Sequence, residues 1–355
     1  MVRGSVGAWA RRAWAWLQAP VVRWPVGLLA VAGYVLVSLW PFTWDPPRNV
    51  ANGARLEADV GLRFLSPGLA VTSGPPAWLD TAIRSGRLEI SLRVRPLVTR
   101  QSDRARILSV AGSGFERNLA IAQQGDDLMV YLRSPGAGDT ADDAARVARA
   151  RDVLQAGSWL DVALTVAPGT LALRAGDERP IRLDLAPDPL RTWDATYRLT
   201  FGNEISGNHP WLGDIGRVVV RTPDAMRAYP GAEPLQRPAT FWIMSREPKL
   251  EPFRHLQTRD AVNNLVMYLP LGLFLGMASR PDTRRAAIAA VLLIAGVSAS
   301  MEVAQIFISV RNPSINDFIL NVAGGAAGYA LGRWLARRAE RAWSGGRPLA
   351  GARRH

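Results

Sequence analysis

Two hydrophobic periodicities share this chain. Continuous apolar runs of the length expected for helices that cross a bilayer lie near its two ends, and short alternating runs fill its middle. The first run, 26–40, carries no charge and is extended by Trp24, Pro25, Pro41 and Phe42. The second covers 262–279, the third 286–310 with Glu302 as its one charged residue, and the fourth 318–332. The fourth is short for a span, so the pattern predicts that Asp317 to Ile319 lie at the interface and that Arg333 snorkels toward water. Four membrane helices are expected.

Between 49 and 230 the period changes to two. Leu88, Ile90, Leu92 and Val94 alternate with Glu89, Ser91 and Arg93, which predicts a half-buried strand. The same alternation recurs at Leu128/Val130/Leu132, Leu160/Val162/Leu164/Val166, Leu171/Leu173, Ile181/Leu183/Leu185, Tyr197/Leu199/Phe201 and from Ile215 to Val220. Turn signals such as Gly125-Asp126, Pro168-Gly169 and Gly176-Asp177 separate these strands at the spacing of an antiparallel sandwich. Residues 136–150 are expected to form a surface loop with a helical tail. The prolines at 234, 238, 248 and 252 predict a linker over 231–258, in which Phe241 and Trp242 either anchor at the membrane interface or pack on the sandwich.

Two stretches carry a resemblance. Gly157-Ser158-Trp159-Leu160-Asp161-Val162 and Trp211-Leu212-Gly213-Asp214-Ile215-Gly216-Arg217-Val218 resemble two strands of the laminin-G-like (concanavalin-A-like) jelly roll. That resemblance implies a module that binds polysaccharide or protein, or one that is purely structural. Asp126-Asp127 beside a turn reads as turn chemistry ahead of a calcium cage, and calcium binding by the sandwich stays open. His209, His255 and His355 are scattered and there is no cysteine, so no metal and no cofactor is expected.

Charge then adds topology. The formal net charge is +13, which on a folded body would suggest a nucleic-acid partner. Residues 43–257 are nearly neutral, however, with 27 basic and 25 acidic side chains. The excess sits in three short segments, 1–25, 280–285 and 333–355, each flanking an apolar run. No nucleic-acid partner is therefore expected. Arginine-rich flanks stay cytoplasmic, and all three segments fall on one side of a four-span topology. The reading is a multi-pass protein of the bacterial cytoplasmic membrane with both termini cytoplasmic. No small-residue cleavage site follows Leu39-Trp40-Pro41-Phe42, so the first run is expected to be a retained anchor. The segments are then a cytoplasmic, amphipathic or frayed 1–23; a first helix over 24–42; an extracytoplasmic sandwich over 49–230; the linker; helices over 259–336; and a basic tail over 337–355. The fold class is an all-α four-helix transmembrane bundle plus an all-β antiparallel jelly roll inserted between the first and second helices.

Polar residues inside the apolar runs are the candidate chemistry, because a charge in a spanning helix is costly. Asp260 and Asn264 open the second run, Asp317 and Asn321 open the fourth, and Ser298, Glu302 and Gln305 share one face of the third. All lie toward the same side of the membrane, Glu302 about 10 Å below the end of its helix at 1.5 Å per residue. Arg311, in the short loop, is the expected counter-charge. Ser314 with Asp317 reads equally as a capping box, and the asparagines as interhelical hydrogen bonds. Capping cannot explain Glu302, which lies well inside its helix where no backbone amide is free. Gly272, Gly276, Gly324, Gly325 and Gly328 read as close-packing sites.

The ordered set Asp260-x3-Asn264-x5-Pro270-Leu271-Gly272, Ser298-x3-Glu302-x2-Gln305 and Arg311-x5-Asp317-x3-Asn321-x2-Gly324 is similar to the VanZ-like family. That resemblance implies a small envelope membrane protein; the family's named member is associated with low-level resistance to the glycopeptide teicoplanin, without an established biochemical activity. The large insert departs from its simplest members. Three functions stay open: a non-enzymatic pocket for a membrane lipid headgroup or lipid-linked glycan, an enzyme using paired carboxylates on a lipid-linked substrate, and a membrane-anchored polysaccharide-binding scaffold. No nucleophile motif or phosphate-binding loop accompanies the carboxylates.

Overall fold

The computed structural model describes residues 19–101, 104–136, 145–244, 247–250, 252–253, 258–279, 283–308 and 312–344. It divides into two compact units, one made of Pro47–Ser245 and the other of the flanking segments.

The first unit is an antiparallel β-sandwich. Its first sheet contains β2 (Ala54–Glu57), β3 (Gly61–Phe64), β5 (Leu88–Pro96), β10 (Leu160–Ala167), β11 (Thr170–Ala175), β12 (Ile181–Asp184), β14 (Gly213–Thr222) and β15 (Ala225–Tyr229). They run in the order β12-β11-β10-β5-β14-β3-β2, with β15 also paired to β14. The second sheet contains β4 (Ala70–Thr72), β6 (Ala105–Ala111), β7 (Arg117–Gln124), β8 (Asp127–Arg133), β9 (Ala145–Ala150), β13 (Arg198–Phe201) and β16 (Leu235–Gln236), in the order β16-β4-β13-β6-β7-β8-β9. A separate ribbon pairs β1 (Arg48–Ala51) with β17 (Thr240–Ile243).

The alternation read from the sequence is the alternation that packs. Leu88, Ile90, Leu92 and Val94 of β5 are buried, and they meet Val162, Leu164, Leu119, Ile121, Val130 and Phe201 in one core. Trp211 is fully buried beside the central strand β14 and donates its indole N–H to Gln123 Oε1 at 2.8 Å. A large aromatic body with one polar atom satisfied is the arrangement that such burial requires.

Three local expectations change. Residues 145–150 form the edge strand β9, paired to β8 from Ala150↔Leu128 to Ala145↔Arg133, and not a helical tail; 137–144 lie outside the described residues. The run Arg-Val-Ala-Arg-Ala offers period two as well as helical propensity, and the open edge of β8 decides between them. Residues 235–236 and 240–243, read from their prolines as linker, instead form β16 and β17, with Phe241 buried and Trp242 exposed. A short helix α2 (Leu79–Ser85), closed by Gly86 at φ 63°, had no periodic signal of its own.

The second unit contains α1 (Pro20–Leu39), α3 (Thr258–Ala278), α4 (Arg284–Gln305) and α5 (Ile315–Ser344). Among the described residues, α3 and α4 are long and apolar enough to cross a membrane, with mean hydropathies of 1.5 and 2.0. The stretch Gly27–Leu36 of α1 is apolar but shorter. The fourth apolar run belongs to a helix of 30 residues, longer than the run itself. Good helix formers continue past the apolar stretch as Leu335-Ala-Arg-Arg-Ala-Glu-Arg-Ala, so helix length and apolar length part company. Arg333 does not snorkel: it is buried, and its Nη1 donates to the carbonyls of Ser279 at 2.8 Å and Gly276 at 3.4 Å, which closes the end of α3.

The glycines act as their spacing predicts. A side-chain carbon at Gly272 or Gly276 would strike the backbone of Gly325 or Tyr329 on α5, and one at Gly324, Gly328 or Gly332 would strike carbonyls of Leu265, Leu269 or Leu273 on α3. The two helices therefore touch backbone to backbone along two glycine ladders.

Candidate functional site

The polar residues of the helical unit gather at one end of its helices. A cavity of about 610 Å³ is lined by Ser38 from the end of α1, by Asp260, Asn263, Asn264, Met267 and Tyr268 from the start of α3, and by Met301, Glu302 and Gln305 from the end of α4. Asn312, just before α5, and Asp317 and Asn321 on its first turns complete the wall. Helical spacing explains why each pair arrives together: Asp260 and Asn264, or Asp317 and Asn321, are four apart on one face. Antiparallel connections then bring the start of α3, the end of α4 and the start of α5 to the same level.

Six of the eight residues singled out in the sequence line this cavity: Asp260, Asn264, Glu302, Gln305, Asp317 and Asn321. Ser298 does not. It is fully buried one turn deeper, where its Oγ accepts a hydrogen bond from Asn321 Nδ2 at 3.1 Å and ties α4 to α5. Arg311 lies outside the described residues.

Glu302 has a structural partner that its position in the chain concealed. Its Oε2 accepts the backbone N–H of Ser314 at 2.7 Å. Ser314 is the N-cap of α5, with Oγ accepting from Asn316 N at 3.2 Å. In a capping box the side chain at the third helical position accepts the N-cap amide; here a carboxylate from another helix does so. Capping therefore does account for Glu302, contrary to the sequence expectation, because the free amide belongs to a neighbouring helix. Gln305 Nε2 reaches Ser38 O at 3.5 Å, a long contact that brings the end of α1 to the same wall.

Several members had weaker signals. Asn263 adjoins Asn264, Asn312 lies in a loop, and Tyr268 follows Asn264 by one turn. Tyr268 is buried and packs edge to face on Tyr34 of α1 with ring centroids 4.3 Å apart. Asn316, also unremarked, accepts the backbone N–H of Phe253 at 2.6 Å and holds the segment before α3 against α5.

Three carboxylates and five amides face this cavity, and among the described residues no cation lines it. Asn321 is 4% exposed, and among the described residues its Oδ1 has no hydrogen-bond partner. Such a wall offers acceptors in excess and a few amide donors, which suits hydroxyl and ammonium groups and repels a bare phosphate. Aromatic side chains rim the same end of the helices. Trp40 and Trp44, 67% and 70% exposed, follow α1, and Trp44 stacks on Phe307 beyond α4 at 5.3 Å.

The sandwich has charge clusters of its own. Glu204, fully buried, lies 3.2 Å from Arg117 Nε, 3.9 Å from Arg106 Nε and 3.6 Å from His209 Nε2. Arg106, also fully buried, lies over the Tyr131 ring at 5.1 Å. Nothing in the alternation marks this cluster. Asp126 and Asp127 at the β7–β8 turn are joined by Asp152, with carboxylate oxygens within 4.8 Å of one another. Asp127 is already engaged, accepting from Arg149 Nε at 2.6 Å and from the backbone N–H of Asp152 at 2.9 Å.

The VanZ/LLP1 family model matches residues 228–336, a stretch that includes α3, α4 and most of α5. The chain is also similar to solved structures. The CBM40 module of Ruminococcus gnavus IT-sialidase, bound to alpha2,3 sialyllactose, is 17% identical over 44% of this chain and 90% of that one, with a TM-score of 0.33. Domains LG4-5 of the mouse laminin alpha1 chain are 16% identical over 53% and 48%, with a TM-score of 0.36. Domain 4 of the arabinanase AbnA from Geobacillus stearothermophilus, in complex with arabinotriose, is 15% identical over 50% and 83%, with a TM-score of 0.32. None of these likenesses is strong enough to carry a ligand across to this chain. No curated protein matches it.

Proposed function

We propose that this chain, whose residues 228–336 carry a VanZ/LLP1 domain, is a multi-pass protein of the bacterial cytoplasmic membrane. Its helical cavity binds the hydroxyl-rich headgroup of a membrane lipid or lipid-linked glycan. In this reading α1, α3, α4 and α5 each span the membrane; with their arginine-rich flanks cytoplasmic, both termini lie inside and the sandwich lies outside. The cavity then opens at the outer leaflet, at the level where exposed Trp40 and Trp44 sit in the headgroup region.

The observation that carries this reading is the composition of the cavity wall. Asp260, Glu302 and Asp317 accept hydrogen bonds from vicinal hydroxyls, and Asn264, Gln305 and Asn321 both donate and accept. A cavity of about 610 Å³ has the size of ordinary small-ligand sites, large enough for a sugar or polyol headgroup.

The test is native mass spectrometry of the full-length protein released from nanodiscs of bacterial lipid extract. The wild type is expected to retain a hydroxyl-rich lipid that Asp260→Asn combined with Asn264→Ala loses, with the helical unit still folded. An identical retained-lipid profile in the two proteins overturns the proposal.

A further inference from the structure

The sandwich has a second concave site on the outer face of the β5–β10–β14 sheet. The register explains it. Asp161 of β10 stands opposite Arg93 of β5, Ala163 opposite Ser91, and Ser91 in turn opposite Val219 of β14. On the next strand, β11, Arg174 stands opposite Ala163. The β14 register shifts between Ile215 and Val218, so Gly216 and Arg217 form a bulge at the same level. Small side chains at Ser91, Ala163 and Gly216 thus make a floor, and long ones make the walls. The result is a groove of about 440 Å³.

We infer that this groove binds an acidic glycan, with the sugar carboxylate on Arg93, Arg174 and Arg217 and the sugar ring against Trp159. Trp159 has the guanidinium of Arg93 5.2 Å and that of Arg95 4.7 Å from its ring centroid. Arg95 is itself held, its Nε 2.9 Å and Nη2 2.5 Å from Asp214 Oδ2, while Asp214 Oδ1 accepts from Arg63 Nε at 2.8 Å. The aromatic platform therefore stands on a rigid network instead of a loose loop.

Arg93 is held less firmly. Its nearest carboxylate, Asp161, is 3.7 Å away, and the two side chains are 55% and 78% exposed, a pair too wet to contribute much. A planar fork already oriented by the indole and only weakly committed is prepared for a bidentate carboxylate. Asp59 and Asp161, also in the lining, then take sugar hydroxyls. Three arginines against two aspartates leave the groove weakly positive, which selects an acidic sugar over a neutral one.

The test uses full-length protein in detergent, titrated calorimetrically with trigalacturonate, with the neutral galactose trimer, and with inorganic polyphosphate as a charge-only probe. Trigalacturonate is expected to bind and the neutral trimer not. Arg93→Ala and Arg174→Ala are each expected to weaken binding by about tenfold, the loss expected for one charge-assisted contact. Both side chains are exposed, so the sandwich stays folded in these variants. Trp159→Ala removes the ring contact and is expected to weaken trigalacturonate more than polyphosphate. Equal binding of the neutral trimer overturns the proposal, as does polyphosphate binding that matches trigalacturonate and ignores Trp159. Trigalacturonate binding and lipid retention are read in separate experiments, so this result stands or falls apart from that of the helical cavity.

Discussion

Glu302 Oε2 accepts the backbone N–H of Ser314 at 2.7 Å, so a carboxylate near the end of α4 closes the first turn of α5. One atom of a cavity-lining residue thus has a structural duty. Glu302→Ala is expected to lower stability by about 1–2 kcal/mol, the range for a lost cap bond. Glu302→Gln keeps an acceptor oxygen and is expected to lose much less. Thermal unfolding in detergent tells them apart, and equal midpoints for the two variants would contradict the assignment.

A side-chain carbon on Gly328 would strike the carbonyl of Leu269 across the α3–α5 contact, whereas among the described residues nothing lies within 4 Å of one on Gly296 of α4. Gly328→Val is expected to cost at least 1–3 kcal/mol by roughly the scale for overpacking, and Gly296→Ala to be tolerated. Monodispersity on size exclusion after mild heating reads both.

Glu204 is buried among Arg106, Arg117 and His209. Removing one side of a buried ion cluster leaves uncompensated charge, which costs about 3–5 kcal/mol. Glu204→Ala is expected to unfold the sandwich at markedly lower denaturant concentration. A conservative Arg106→Lys is also expected to destabilise, because a point charge cannot copy the planar contact with Tyr131. A wild-type midpoint for Glu204→Ala would show the cluster to be energetically idle.

Asp127 sets a pH dependence. Burial alone pushes its carboxyl up, but the Asp152 amide and the Arg149 guanidinium outweigh that and hold it below the usual carboxylate value. A group whose folded value is depressed contributes stability in full above its unfolded value, near 3.9, and loses it as pH falls through the folded value. Asp127→Asn is therefore expected to lower the unfolding midpoint at pH 7 and to converge on the wild type as pH falls through the depressed folded value. Parallel pH profiles for the two proteins would count against it.

Much of this architecture is legible without coordinates. Period-two alternation at Leu88 to Val94 finds the core strand β5 because one face of a strand must be dry. Spacings of four place Asp260 with Asn264, and Asp317 with Asn321, because 3.6 residues make a turn. The same logic finds the glycine ladders. Boundaries are less legible: the edge strand β9 and the ribbon strand β17 depend on neighbours that compete with local propensity, and the arginine-rich half of α5 extends the helix beyond its apolar run.

Helix faces and strand faces are therefore properties of the chain alone, since each follows from a period over nearby residues. Tertiary structure alone decides that Glu302 caps another helix, that Asp152 joins Asp126 and Asp127, that Glu204 is buried among arginines, and that Trp159 looks over a groove floored by Ser91, Ala163 and Gly216. Glu302 and Ser314 are 12 positions apart, and Glu204 and Arg106 are 98 apart. No periodicity encodes them, because the partner's distance in space is set by sheet register and helix packing.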